Sequence, residues 1–155
     1  MDWSSNLFHV IMAVMLGAAI GLERELSGKS AGLRTNVLIC LGATVFTLIS
    51  KQMGAGPNAP TTRIAAQIVT GVGFLGAGAV IQDRGGVRGL TTAATIWVVA
   101  SIGMACGAGY YSLAVISTFT SITVLVGLGL LEKPMQRYVK RNKQTSNADE
   151  KNMQT

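Results

Sequence analysis

Residues 89–131 have the sequence GLTTAATIWVVASIGMACGAGYYSLAVISTFTSITVLVGLGLL, without one Asp, Glu, Lys or Arg. As a single α-helix, the 42 residues after Gly89 would be about 63 Å long, roughly twice the ~30 Å hydrocarbon core of a bilayer. This stretch therefore has to turn, and the glycine-rich sequence Cys106-Gly107-Ala108-Gly109 is the place where we expect it. The stretch predicts two membrane-spanning helices joined by a short turn.

The rest of the chain repeats this pattern of apolar runs separated by charges. Charged residues are only 13% of the 155 residues, against roughly a quarter in soluble domains. The sequence predicts an all-α, polytopic transmembrane helical bundle within residues 1–131. We expect five membrane-spanning helices, at residues 4–22, 35–50, 64–82, 90–106 and 110–131.

The distribution of the basic residues predicts the orientation of the chain. Of the 13 Lys and Arg residues, all but Lys51 and Arg63 fall on one side of the predicted helices. The positive-inside rule then places the N-terminus outside and the C-terminus in the cytoplasm. Residues 132–155 form a basic cytoplasmic tail that we expect to be partly disordered and attracted to the lipid bilayer. This distribution favours a membrane role for the net charge of +6 and argues against nucleic-acid binding.

Two hairpins of the sequence resemble each other. The first runs from Leu16-Gly17-Ala18 to the Gly32-Leu33 pair, and the second from Leu75-Gly76-Ala77 to the Gly89-Leu90 pair. Both are predicted to enter and leave the cytoplasm in the same direction, which suggests a parallel internal repeat of two hairpins. Chance similarity between apolar segments is the alternative.

Glycines recur at helical spacing within the predicted spans. The sequence of residues 71–76, GVGFLG, matches the dinucleotide pattern GxGxxG, but it lies inside an apolar run and not after a β-strand. Small residues four positions apart instead favour close packing of membrane helices. The glycines assigned to helix packing are Gly17, Gly21, Gly71, Gly73, Gly76, Gly78, Gly103 and Gly107.

Charged and hydroxyl side chains gather at the predicted cytoplasmic ends of the helices. They form one layer if the repeat is real, and the carboxylates of Glu23 and Asp83 occupy equivalent places in it. Structural ion pairs, lipid contacts and a cation site all remain open, since a hydrated Mg²⁺ can be bound by one or two carboxylates. The candidate cation or partner site consists of Glu23, Arg24, Arg34, Asp83, Arg88 and Thr91, with Glu23 and Asp83 as the metal ligands.

Residues that would support an enzyme are missing from the sequence. There is one His, there are two Cys, and no set typical of nucleophilic or metal-assisted catalysis can be assembled. No carboxylate falls inside a predicted span, although ion paths through membranes usually contain one. We predict no enzymatic activity and no cofactor, with Mg²⁺ as the ion to consider.

Four separated motifs carry a resemblance to a known family. They are GLERE at 21–25, GKSAGLRT at 28–35, RIAAQIVTGVGFLGAG at 63–78 and VRGLTTAATIW at 87–97. Together they closely resemble the MgtC/SapB family of bacterial inner-membrane proteins, and the resemblance covers residues 7–131. We expect a short form without the family's C-terminal cytoplasmic domain, with Thr91 and Val98 where the virulence-type members carry Asn and Cys.

The resemblance implies a role in magnesium homeostasis and low-Mg²⁺ stress. It favours a regulator that acts through another membrane protein, such as the proton-driven ATP synthase, and the alternative is a transporter or channel for Mg²⁺ or another divalent cation. The small-residue helix faces predict a homo-oligomer as well.

Overall fold

Five α-helices account for most of the described chain, as expected for a helical membrane bundle. The computed structural model describes residues 3–54, 63–83 and 86–130, and the side chains of residues 63–65, 82 and 83 lie outside the description. The helices are α1 (Trp3–Leu26), α2 (Leu33–Met53), α3 (Arg63–Gly78), α4 (Leu90–Ala108) and α5 (Tyr111–Leu130). The predicted tail, residues 132–155, lies outside the described residues.

Four of these helices, α1, α2, α4 and α5, are long and apolar enough to cross a membrane. The turn between α4 and α5 falls where the sequence predicts it. Gly109 adopts a left-handed conformation with φ of 89°, and its N–H donates to the carbonyls of Ala105 and Cys106. The N–H of Tyr110 also donates to the Ala105 carbonyl at 2.8 Å. This Schellman motif ends α4 and lets α5 begin at once.

The third helix was predicted at residues 64–82, and the predicted C-terminal boundary is wrong. The helix ends at Gly78, and the chain then forms an antiparallel β-hairpin of β1 (Ile81–Asp83) and β2 (Gly86–Arg88). With 16 residues, α3 is about 24 Å long, shorter than the ~30 Å hydrocarbon core. Glycine disfavours helix interiors and the β-branched Val80 and Ile81 favour strands, so the apolar run changes structure near Gly78.

Two compact units divide the described chain between Ser121 and Ile122, within α5. In the first unit, the helix α2 packs against α1, α3 and α4. A buried apolar cluster joins α2, α3 and α4 through Ala43, Ile68, Val72, Ile96 and Ala100. The helix α2 is therefore the centre of this unit.

Glycines set the distance from α2 to α1 and to α4. A Cβ atom added at Gly17 would lie 2.8 Å from the Cβ of Cys40, and one added at Gly107 would lie 2.6 Å from the Thr44 carbonyl oxygen. Gly21 and Gly103 approach the α2 backbone at Leu33 and Cys40 in the same way. These contacts are closer than any Cβ tolerates, so only glycine allows the two interfaces.

The four glycines assigned to packing in α3 have different surroundings. A Cβ added at Gly76 would make ordinary contact with Ala93 of α4, at 3.7 Å. In the described part of the chain, a Cβ at Gly71, Gly73 or Gly78 would meet no atom within 4 Å. Any packing partner of these three glycines is therefore not within the described residues, and their role in helix packing stays a prediction.

The two proposed copies of the repeat share their helix starts and differ in their connections. The pairs Gly32-Leu33 and Gly89-Leu90 both stand at the beginning of a helix, α2 and α4. The first connection is a short turn, whereas the second contains the β-hairpin. Gly89 has φ of 90°, and a Cβ there would collide with the Ala79 carbonyl, so the returning chain crosses the end of α3 at a glycine.

Substitution of glycine by alanine should have opposite effects on stability at Gly103 and Gly42. At Gly103 the new methyl group would collide with the Cys40 carbonyl and lie 2.9 Å from the Ala43 Cβ, which should cost about 1 to 3 kcal/mol. At Gly42, also helical, the methyl group meets nothing within 4 Å in the described chain, so the better helix propensity of alanine should stabilise by up to about 1 kcal/mol. Thermal unfolding in mild detergent measures both, and a melting temperature of Gly103→Ala at or above the wild-type value would contradict the close approach.

Candidate functional site

The turn between α1 and α2 is held by its own backbone and by one carboxylate. The N–H of Lys29 donates to the Arg24 carbonyl and that of Gly28 to the Glu25 carbonyl, each at 3.0 Å, with Gly28 left-handed at φ of 63°. The N–H of Leu33 donates to Glu25 Oε2 at 2.9 Å. A carboxylate at this position satisfies a free N–H and opposes the positive end of the α2 dipole.

Arg24 is buried at the end of α1, although sequence analysis placed it among charges at the membrane surface. Only 2% of the residue is exposed. Its Nη1 atom lies 3.6 Å from Glu23 Oε2. Arg24 Nε, Arg24 Nη2 and Glu23 Oε2 are buried and have no hydrogen-bond partner among the described residues. Buried charges with open hydrogen-bonding positions are costly. The sequence signal for this burial was helical spacing, since Arg24 continues the buried face of α1 that contains Gly17 and Ile20.

Asn36 is a site residue that sequence analysis missed. It is fully buried at the start of α2, and its Nδ2 donates to the carbonyls of Ala31 and Gly32, each at 2.8 Å. Its Oδ1 is buried and has no hydrogen-bond partner in the described part of the chain. The sequence signal for this position was a single amide in the uncharged run at 35–50.

The other predicted site residues have different environments. Arg34, Arg88 and Thr91 are exposed, and the Thr91 carbonyl accepts a hydrogen bond from Thr95 Oγ1 at 2.8 Å. The backbone of Asp83 pairs with Gly86 in the β-hairpin, and its side chain lies outside the described residues. The topology places all six residues at one end of the first unit, and among their described side chains the one ion pair is that of Glu23 with Arg24.

Acidic and other metal-binding side chains do not cluster in the described part of the chain. No group of three or more His, Cys, Asp or Glu side chains that could hold a metal ion is found there, although a hydrated Mg²⁺ needs only one or two carboxylates. The Glu23–Asp83 pair stays a prediction, because one of its two carboxylates is not described. The described site is instead a buried arginine with an adjacent glutamate and a nearby helix turn fixed by Glu25.

A long cavity separates α2 from α3 beside this turn. Its volume is about 950 Å³, and its walls are mainly apolar side chains of the two helices. Arg34, Ser30 and Thr35 line the end next to the α1–α2 turn. The sequence does not predict this cavity, because its width depends on how closely α2 and α3, which follow each other in the chain, pack together.

At the opposite end of the first unit, α1 and α5 meet through aromatic side chains. The Tyr111 hydroxyl and His9 Nδ1 form a hydrogen bond, and the rings of Phe8 and Tyr111 pack edge to face with centroids 5.0 Å apart. His9 is buried. Its bond to a phenol gives this only histidine of the chain a structural role.

Comparisons with known proteins agree with the architecture. The profile of the MgtC family matches residues 10–134. The chain belongs to the MgtC family. Protein MgtC of Salmonella typhimurium is 47% identical over 131 residues, which cover 84% of this chain and 54% of that protein. The protein of Escherichia coli K12 named putative magnesium transporter YhiD is 43% identical over 129 residues, covering 77% of this chain and 58% of that protein.

Membership of the MgtC family and the apolar helices together make this an integral membrane protein. The chain spans little more than half the length of the curated relatives described above. No solved structure matches the chain.

Because Glu25 and Gly32 are in contact, substitutions at these two residues should have non-additive effects on the free energy of unfolding. A Cβ at Gly32 would collide with Glu25 Oε2, so Gly32→Ala should displace the carboxylate from the start of α2. We expect Gly32→Ala and Glu25→Ala each to lower the free energy of unfolding by about 1 kcal/mol. The double variant should lose clearly less than the sum, as measured by denaturation in detergent.

Additive losses in that double variant would show that the Glu25 carboxylate does not interact with the α2 start. Lys29→Ala, a change of an exposed side chain in the same turn, serves as the control and should couple to neither substitution.

Proposed function

We propose that this protein is a membrane regulator linked to magnesium homeostasis, and that it acts by binding a transmembrane helix of another membrane protein. Membership of the MgtC family supports the link to magnesium, since one relative is named as a putative magnesium transporter. The observation that carries the proposal is an exposed stripe of small residues on α3. This stripe consists of Ala66, Thr70, Gly73 and Ala77.

The small-residue stripe has the spacing of a single helix face. Its members are separated by four, three and four positions, and all four are exposed. In the described part of the chain, nothing lies within 4 Å of a Cβ added at Gly73. Small residues at this spacing allow another helix backbone to approach closely, where dispersion and weak C–H···O contacts accumulate. The stripe therefore suits a helix supplied by another protein.

The packed interior supports a regulator over a transporter. The glycine contacts of α2 with α1 and α4 leave no space between those backbones. Buried hydroxyls there are already engaged, since Thr44 Oγ1 donates to the Cys40 carbonyl at 2.9 Å and to the Gly103 carbonyl at 2.8 Å. Mg²⁺ prefers carboxylate oxygens and keeps much of its water, and the glycine contacts of α2 with α1 and α4 supply neither a carboxylate nor room for a hydrated ion.

A bulky side chain on the small-residue stripe should prevent the partner protein from binding. We expect a photo-crosslinking amino acid at Thr70 to form one adduct of defined mass with another membrane protein in native membranes. Gly73→Leu should reduce that adduct at least about fivefold, because overpacking an interface by a leucine side chain costs about 1 kcal/mol or more. Growth at low Mg²⁺ should be impaired in the same variant.

Gly71→Leu is the matched control for the crosslinking experiment. It makes the same change two residues away, on the side of α3 that lines the cavity, and its adduct should remain. Equal loss in both variants, or an adduct that Gly73→Leu leaves unchanged, would contradict docking on the stripe. The mass of the adduct tests whether the partner is the ATP synthase, another membrane protein or a second copy of this chain.

Transport of a divalent cation is the second candidate function, and one observation favours it. Glu23 Oε2 and Asn36 Oδ1 are buried acceptor oxygens for which the described chain offers no hydrogen-bond partner, and they lie at the ends of α1 and α2 that face the same side. Hard cations bind to such oxygens. The Arg24 guanidinium lies beside Glu23 and would repel a cation, which makes this candidate the weaker one.

Flux into liposomes that contain only the purified protein separates the two functions. With a magnesium-sensitive dye inside, the regulator proposal predicts no flux above that of empty liposomes, with or without a membrane potential. Flux that falls severalfold in Glu23→Gln would favour the transporter. Glu25→Gln is the control, because glutamine keeps an oxygen to accept the Leu33 N–H bond and should leave any flux unchanged.

A further inference from the structure

The cavity between α2 and α3 has one polar end and long apolar walls. The polar end is lined by Arg34, Ser30 and Thr35. Apolar side chains such as Leu38 line the remainder, except for the amide of Gln67 at the far end. Its volume of about 950 Å³ is near the upper limit of sites that hold small molecules, roughly 300 to 1,000 Å³. A ligand that fits it is therefore long, largely apolar and charged at one end.

The length of the cavity corresponds to one leaflet of a bilayer. Along α2 it extends from Arg34 to Phe46, which is about 18 Å of helix. Along α3 it extends from Gly78 back to Gln67, about 17 Å. Half of the ~30 Å hydrocarbon core is about 15 Å, so an acyl chain of a single leaflet spans the cavity from its polar end to its far end.

Three glycines keep the cavity open. Gly42 of α2 and both Gly71 and Gly78 of α3 line it, and a Cβ added at any of them would meet no atom of the described chain within 4 Å. The flanking Leu38 and Leu75 are 66% and 49% exposed. Apolar side chains with this much exposed surface are expected where lipid, and not protein, packs against them.

The charge at the polar end specifies the head group. Arg34 is exposed, and within the described residues it makes no salt bridge or side-chain hydrogen bond. A guanidinium binds a phosphate with two parallel hydrogen bonds, and the neighbouring Ser30 hydroxyl can donate a further one. Basic pockets between membrane helices on the cytoplasmic side are suited to anionic lipid head groups.

We propose that an anionic phospholipid of the cytoplasmic leaflet occupies the cavity between α2 and α3. Its phosphate binds to Arg34, and an acyl chain lies along the apolar walls past Gly42 and Gly71. The lipid supplies packing for the side of α3 that faces α2, and it holds the short helix α3 in place. This site is separate from the small-residue stripe, because none of the four stripe residues lines the cavity.

Native mass spectrometry after release from bilayers of equal phosphatidylglycerol and phosphatidylcholine tests the proposal. Wild-type protein should retain one phosphatidylglycerol in preference to phosphatidylcholine. Arg34→Gln should reduce that preference about fivefold, the effect of one arginine near an anionic lipid. Gly71→Leu, which fills the cavity, should lower retention of both lipids by at least the same factor.

Two control variants match these substitutions. Lys29→Gln removes another exposed basic side chain of the same turn that does not line the cavity, and Gly73→Leu makes the same glycine substitution on the stripe. Both should retain phosphatidylglycerol as the wild type does. Unchanged helix content by circular dichroism shows that each variant has folded.

Three outcomes would overturn the lipid site. They are equal retention of the two lipids by wild-type protein, an unchanged preference in Arg34→Gln, and retention in Gly71→Leu at the wild-type level. Loss of a dimer mass in Gly71→Leu, without loss of lipid, would assign the cavity to a second copy of the chain. The partner adduct at Thr70 is measured separately, so either proposal can fail while the other holds.

Discussion

The contact of α2 with glycine backbones on two sides is the constraint on which the first unit depends. Helices in a bilayer gain little from the hydrophobic effect between them, so close approach and hydrogen bonding have to hold them together. Gly17 and Gly21 provide this approach from α1, and Gly103 and Gly107 provide it from α4. Cys40 lies between the two pairs, with its Cβ against Gly17 and its carbonyl against Gly103.

The same approach explains why Arg24 is buried. Gly21 brings α1 within contact of Leu33, where α2 begins, and Arg24 lies one turn further along the same face of α1. A turn at Gly28 follows this end of α1 and leads the chain to α2. Within the described residues, three polar atoms of Arg24 and Glu23 have no hydrogen-bond partner there, and a buried guanidinium in that condition is retained at a cost in stability.

Sequence reasoning predicted the five helices and the turn at residues 106–109 because apolar runs of membrane length dominate the chain. It placed the end of α3 wrongly, since the run through Val80 and Ile81 is apolar in either a helix or a strand, and hydropathy does not distinguish them. It named Arg24 as a site residue but not its burial, and it missed Asn36. The burial of Arg24 and that of Asn36 depend on the rotation of α1 and α2 about their axes, which charge and hydropathy do not determine. The cavity beside Arg34 depends on the spacing of α2 and α3, which only the fold provides.

The glycines of this chain serve two opposite purposes that the sequence alone does not distinguish. The space beside the glycines of α1 and α4 is occupied by α2. These glycines are therefore unavailable to any partner unless α2 separates from α1 or α4. Within the described residues, no atom lies within 4 Å of a Cβ added at Gly71 or Gly73 of α3, and α3 is also too short to cross the hydrocarbon core unaided. Molecules outside the described chain can therefore stabilise α3 more than the other helices, because they can pack against the two faces that its described neighbours do not contact. For this reason the site of action is better sought on α3 than in the closely packed interface of α1, α2 and α4.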